Sequence, residues 1–111
     1  MTISEMVQES HDRSRRKGWW DGVADPLTEV PLKLVLMHGE VSKALECYRT
    51  WRMNTTMEDD EKPTGFAIKL ADLVIRVGDL AGALGIDLEG AIKAKSAYNE
   101  MRPFHHGGKP F

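Results

Sequence analysis

Residues 66–87 read FAIKLADLVIRVGDLAGALGID, and their periodicity decides the fold. Phe66, Leu70, Leu73, Val77, Leu80 and Leu84 recur at alternating intervals of four and three. That repeat gathers apolar side chains on one face of an α-helix and calls for a partner helix. Gly85 suits the position just past a helix end, and Asp87 offers an N-cap for a further helix through about Asn99. On the other side, residues 54–63 (NTTMEDDEKP) form a polar connection whose charge run is solvated. Before it, a long helix is expected to begin near Thr28–Pro31, with Pro31 tolerated in its first turn. Its apolar positions include Leu34, Met37, Val41, Leu45 and Tyr48, again three and four apart. At the start of the chain, Thr2 and Glu5 have capping-box spacing, so a polar helix should run to about Lys17 and stop at Gly18. Residues 19–26 (WWDGVADP) read as a loop, and residues 102–111 (RPFHHGGKPF) hold too much Gly and Pro for a helix. Strand-like alternation is absent. The expectation is an all-α antiparallel helical bundle in one domain. It comprises an N-terminal helix and aromatic loop (1–27), a helical core (28–101) and a basic tail (102–111). A chain this short is expected to finish covering its apolar faces by oligomerisation.

Composition narrows the function. With 29% charged and 41% hydrophobic residues the chain is an ordinary globular protein. A net charge of −2 and a pI near 6.1 argue against broad nucleic-acid binding, though not against a local basic site. Cys47 is the single cysteine, so no internal disulfide forms. This suits a reducing cytoplasm, and Cys47 reads as a packing residue. The methionines read as fillers of core gaps. The N-terminus has no apolar signal-peptide core, and no apolar run is long enough to span a membrane.

The polar residues beside the two central seams are candidates for chemistry. Glu40 and Lys43 lie three apart on the first helix, and Lys69 and Asp72 lie three apart on the second. Each pair is therefore neighbouring on one helical face, and Asp79 lies two turns beyond Asp72 on nearly the same line. In an antiparallel hairpin the two faces can meet. The structural reading is a pair of interhelical salt bridges, Glu40 with Lys69 and Lys43 with Asp72, that lock the bundle.

The stretches KLVLMHGEVSKALECYR (33–49) and EKPTGFAIKLADLVIRVGDLAGALGIDLEGAIKAKSAYNEMRPFHHGGKPF (61–111) resemble the phage and actinobacterial branch of MazG-like nucleotide pyrophosphohydrolases. The likeness covers most of the chain from Lys33 onward, and Trp19–Trp20 fit the family's upstream aromatic loop. It rests on the order and spacing of several motifs, none decisive alone. It implies an all-α bundle, dimeric or tetrameric, that hydrolyses nucleoside triphosphates to monophosphate and pyrophosphate with magnesium. The family's signature is Glu-x-x-Glu on one helix and Glu-x-x-Asp on the next. The outer two acids fall on Glu40 and Asp72, which the resemblance makes metal-binding and catalytic; the inner two fall on Lys43 and Lys69. Here the chain departs from the pattern, because magnesium takes oxygen ligands and an ammonium offers only donors. The quartet of two acids and two lysines is neutral without any ion. Asp79 is the further acid able to hold a displaced magnesium.

Other residues complete the expected ligand site. Lys43 and Lys69 can neutralise a triphosphate directly. Lys95 and Asn99, four apart, can present an ammonium and an amide from one helical face, as the resemblance also implies; without it, a surface Lys and a helix-terminal Asn suffice. Arg102, His106 and Lys109 can close over phosphates, helped by Gly107 and Gly108. Trp19 or Trp20 can stack on a base, or pack as a lid on the bundle. His105 and His106 are adjacent, a poor spacing for zinc. The leading expectation is a cytoplasmic nucleoside triphosphate pyrophosphohydrolase, homo-oligomeric, weakened or silenced at its metal quartet. The alternative is an inactive nucleotide-binding or scaffold protein of the same fold.

Overall fold

The structure, a computed structural model, describes residues 1–104. Among them are four α-helices: α1 (Ile3–Arg16), α2 (Val30–Arg49), α3 (Phe66–Leu84) and α4 (Leu88–Met101). No helix among the described residues is long and apolar enough to cross a membrane. The capping box at α1 closes reciprocally: Thr2 Oγ1 accepts from the Glu5 N–H and Glu5 Oε1 from the Thr2 N–H, each at 3.0 Å. Gly18, with φ 86°, turns the chain out of the helix. Asp25 then starts a short 3-10 turn, Pro26–Glu29, by accepting the Leu27 N–H at 3.0 Å. That turn delivers Pro31 into the first turn of α2, where its missing donor costs nothing.

The end of α2 fixes the hairpin. Trp51 adopts φ 57°, so that the Trp51 N–H reaches Tyr48 O at 3.1 Å and the Arg52 N–H reaches Cys47 O at 2.7 Å. This is a Schellman closure with tryptophan where glycine is usual. The polar connection is less featureless than its composition implies. Thr56–Met57 (β1) and Pro63–Thr64 (β2) pair antiparallel, Thr56 facing Thr64. Gly65, at φ 120°, lies so close to the Asn54 carbonyl that a Cβ has no room. The Phe66 N–H then donates to Arg52 O at 3.0 Å, tying the start of α3 to the end of α2. Glu40 meets Arg76 further along, an order of contacts that makes the two helices antiparallel.

α3 lies between α1 and α2 and carries contacts to both. The buried apolar residues are Val7, Ala44, Cys47, Leu80 and Ala81, joined by Ser10 and Glu40. Against the expected seam of α2, Leu34, Val41, Leu45 and Tyr48 are exposed, and Glu40, Ala44 and Cys47 face inward. The inward face is displaced by one residue, about 100° around the helix. α3 keeps its expected face in the main, with Leu70 as the exposed exception. The fourth helix begins at the expected Asp87 cap, which accepts the Gly90 N–H at 2.9 Å. Its first turn meets α1, where the Ser4 N–H donates to Glu89 Oε1 at 3.3 Å. Residues 91–101 are exposed, so this part of the expected core stands outside it.

Candidate functional site

α3 sets the site through Lys69, Asp72, Arg76 and Asp79, a polar stripe at three-four-three spacing beside its apolar face. The expected cross-helix pairs do not form. Lys43 Nζ lies 3.5 Å from Glu40 Oε1 on its own helix, and Lys69 Nζ lies 3.9 Å from Asp72 Oδ2 on its own. The bond between the helices comes from Arg76, whose Nε donates to Glu40 Oε1 at 3.1 Å. Glu40 is only 4% exposed, and its Oε2 is buried without a hydrogen-bond partner. A buried carboxylate is tolerable only when paired, and Arg76 supplies that pairing.

Asp79 serves the fold. Its Oδ1 accepts from Trp20 Nε1 at 2.9 Å and pairs with His11 Nδ1 at 2.9 Å, while its Oδ2 accepts from Ser14 Oγ at 2.8 Å. These bonds fasten α1 and the aromatic loop to α3. They also separate the two tryptophans. Trp20 is held between Asp79, the edge of His11 at 5.7 Å and Lys33 Nζ at 4.5 Å from its ring centre. Trp19 is 64% exposed and stands at the rim of a cleft.

That cleft, of about 370 Å³, opens between α1, α2, α3 and the turn of the β-hairpin. Seven cations line it (Arg13, Lys17, Lys33, Lys43, Lys62, Lys69 and Arg76) against three acids (Glu40, Asp72 and Asp79), together with Ser10, Ser14, Trp19 and Ile75. Its formal charge is thus +4 in a chain whose net charge is −2. A concave wall with an excess of one sign focuses potential, and this excess favours a polyanion. A second depression of about 530 Å³, lined by Asp12, Arg15, Arg16, Trp20 and Asp21, has balanced charge and no such bias.

The donor set does not fit magnesium, which needs several hard oxygens at close range. Glu40 Oε1 is taken by Arg76 and Lys43, Asp72 is paired with Lys69, and both oxygens of Asp79 accept from α1 or the loop. Among the described residues, no three His, Cys, Asp or Glu side chains come together as a metal-binding group. Among the described residues Glu40 Oε2 is the one buried side-chain oxygen without a partner, and a divalent ion there would sit beside a guanidinium and an ammonium.

The structure brings Glu40, Lys43, Lys69, Asp72, Asp79 and Trp19 to one cleft; Trp20 does not line it and lines the second depression instead. Lys95 and Asn99 are on the exposed part of α4 and do not line it. Lys95 Nζ instead lies 4.6 Å over the Tyr98 ring, with Arg102 Cζ at 5.9 Å from the same ring. His106 and Lys109 lie outside the described residues. Arg13, Lys17, Lys33, Lys62 and Arg76 escaped the sequence reading. Two signals for them were present: Arg76 follows Asp72 by four, and Arg13 precedes Lys17 by four. No family model, curated protein or solved structure matches this chain.

Proposed function

We propose that the cleft is a nucleoside-triphosphate site of the MazG-like type and that the chain works as a homo-oligomer. The observation that carries this is the +4 cleft with an exposed tryptophan at its rim. Lysine and arginine provide donors for phosphate oxygens, and the Trp19 ring provides a face on which a base stacks. A nucleotide joins those two requirements in one ligand. The chain's overall negative charge disfavours a long nucleic acid in the same place.

The test compares the two tryptophans by calorimetric titration with nucleoside triphosphates. Trp19→Ala should weaken binding by ~1–3 kcal/mol, the cost of losing one base–aromatic stack, and leave the melting temperature unchanged. Trp20→Phe should lower stability by ~1–3 kcal/mol, because Asp79 loses a buried donor. Unchanged affinity in Trp19→Ala would remove the base from this site.

One observation favours hydrolysis as a second reading. Glu40 Oε2 is a buried carboxylate oxygen of a cleft-lining residue that no protein donor engages, and it can accept a proton only from a water that enters with the ligand. The reaction implied by the resemblance is water attack on the α-phosphoryl group, releasing pyrophosphate. Pyrophosphate release by the parent that disappears in Glu40→Gln, with nucleotide affinity retained, is the expected signature. No release from the parent with any triphosphate leaves binding alone.

A further inference from the structure

We infer that the cleft takes its triphosphate free of divalent metal, with Lys43 and Lys69 on the phosphate oxygens, so that magnesium weakens binding. This rests on the reading of the cleft as a nucleoside-triphosphate site and specifies the ionic form it accepts.

Three observations lead there. The first is the charge balance. The cleft carries a formal +4, and a fully ionised triphosphate carries about four negative charges, so the two match without help. Magnesium bound to the phosphates removes about two of those charges and leaves lysines facing a weaker anion.

The second is the state of the acids. A metal that bridges nucleotide and protein must find free carboxylate oxygens on the protein side. Asp79 has three donors, and half-exposed Asp72 faces the Lys69 ammonium at 3.9 Å, so a metal on Asp72 stands against that charge. Glu40 holds Arg76 at 3.1 Å and Lys43 at 3.5 Å on one oxygen. Among the described residues the one buried side-chain oxygen without a partner, Glu40 Oε2, belongs to that same carboxylate, so a metal reaching it meets two cations at once.

The third is the looseness of the lysine pairs. Lys69 stands 3.9 Å from Asp72 Oδ2, beyond hydrogen-bond reach, and Lys43 stands at the 3.5 Å limit. An ammonium has three donors. Both lysines therefore keep donors to give to phosphate oxygens without first breaking a strong bond. The substitutions that spoil the family's metal site thereby supply the neutralising charge themselves.

The experiment is calorimetric titration of the full chain with ATP and, separately, with inorganic tripolyphosphate. Each is run in EDTA and in saturating magnesium chloride, with ionic strength matched by sodium chloride because exposed charges are screened. Both probes should bind in EDTA and lose at least about tenfold in affinity with magnesium. ATP binding that is equal or tighter with magnesium overturns the inference and leaves the nucleotide reading standing. Tripolyphosphate binding in EDTA without ATP binding supports the inference and overturns the nucleoside part of the site. No binding of either probe overturns both. A variant reverses the sign: Lys43→Glu with Lys69→Glu, folded by circular dichroism, should bind ATP only when magnesium is present and should gain magnesium-dependent pyrophosphate release. Continued preference of that folded variant for metal-free ATP would overturn the inference. Should the variant not fold, the titrations of the unaltered chain decide the matter alone.

Discussion

Glu40 concentrates the energetics of the site in one side chain. Burying a carboxylate costs several kcal/mol, and breaking its pairing from one side costs ~3–5 kcal/mol because the charge stays behind. Arg76→Ala should therefore lower unfolding stability by ~3 kcal/mol in urea titrations. The same change in a Glu40→Gln background should cost much less, a coupling that a double-mutant cycle measures. Equal costs in both backgrounds would show that Arg76 acts through packing of its stem. The sequence revealed that acids and bases share this face, but it assigned the partners wrongly. Spacing along a helix determines which residues are neighbours on it. The register between helices depends on how the chain returns, and here that return is set by the Phe66 N–H on Arg52 O and by Gly65 against Asn54. Those contacts lie in a segment that reads only as polar. Trp19 and Trp20 pose a similar problem, since they are adjacent and alike, and only the position of Asp79 tells them apart.

Among the elements, α1 packs closely on α3. Gly78 and Gly82 lie one turn apart on α3. A Cβ on Gly78 would come within 2.6 Å of Met6 Sδ, and one on Gly82 within 2.5 Å of His11 Cβ. Gly82→Ala should therefore destabilise the fold by ~1–3 kcal/mol through overpacking, although alanine is the better helix former. A neutral or higher melting temperature would show that α1 shifts freely on α3. The ends of the helices were legible because each rests on local chemistry: Thr2 with Glu5, Gly18, and Asp87 with Gly90. The inner face of α2 was not legible. Apolar residues occur on both sides of that helix, at Leu34, Val41, Leu45 and Tyr48 as well as at Ala44 and Cys47. Periodicity favours the larger set, whereas α3 packs against the smaller residues that let two helices approach. The β-hairpin was hidden for a different reason: its strands are two residues each, too short to show alternation.

At the scale of the whole molecule, a single chain leaves much apolar surface uncovered. Its accessible surface is 8364 Å², against ~6200 Å² for a compact monomer of its mass. Its radius of gyration is 16.6 Å, against ~13 Å for a compact chain of this length. The outer side of α2 presents Leu34, Val41, Leu45 and Tyr48, and Trp51 follows in a backbone conformation that a bulky residue adopts at a cost. We expect light scattering to report at least a dimer, and Val41→Lys with Leu45→Lys to reduce it to a monomer that keeps its helical circular dichroism. A monomeric mass for the unaltered chain at tens of micromolar would leave that stripe without a function in assembly.

The fastening of α1 to α3 through Asp79 has a kinetic consequence. Two of the cleft's cations, Arg13 and Lys17, ride on α1 or just past its end, whereas Lys43 and Lys69 belong to the α2–α3 hairpin. A ligand that touches both groups staples two pieces of chain, so that any sub-global opening that parts them must first release it. Amide deuterium exchange is a clock for that opening. With ATP at about one hundred times its dissociation constant, exchange in α1 should slow by up to about a hundredfold. Amides in the exposed part of α4 should keep their original rate. Equal slowing along the entire chain would instead mean that the four helices open only together, as one cooperative unit.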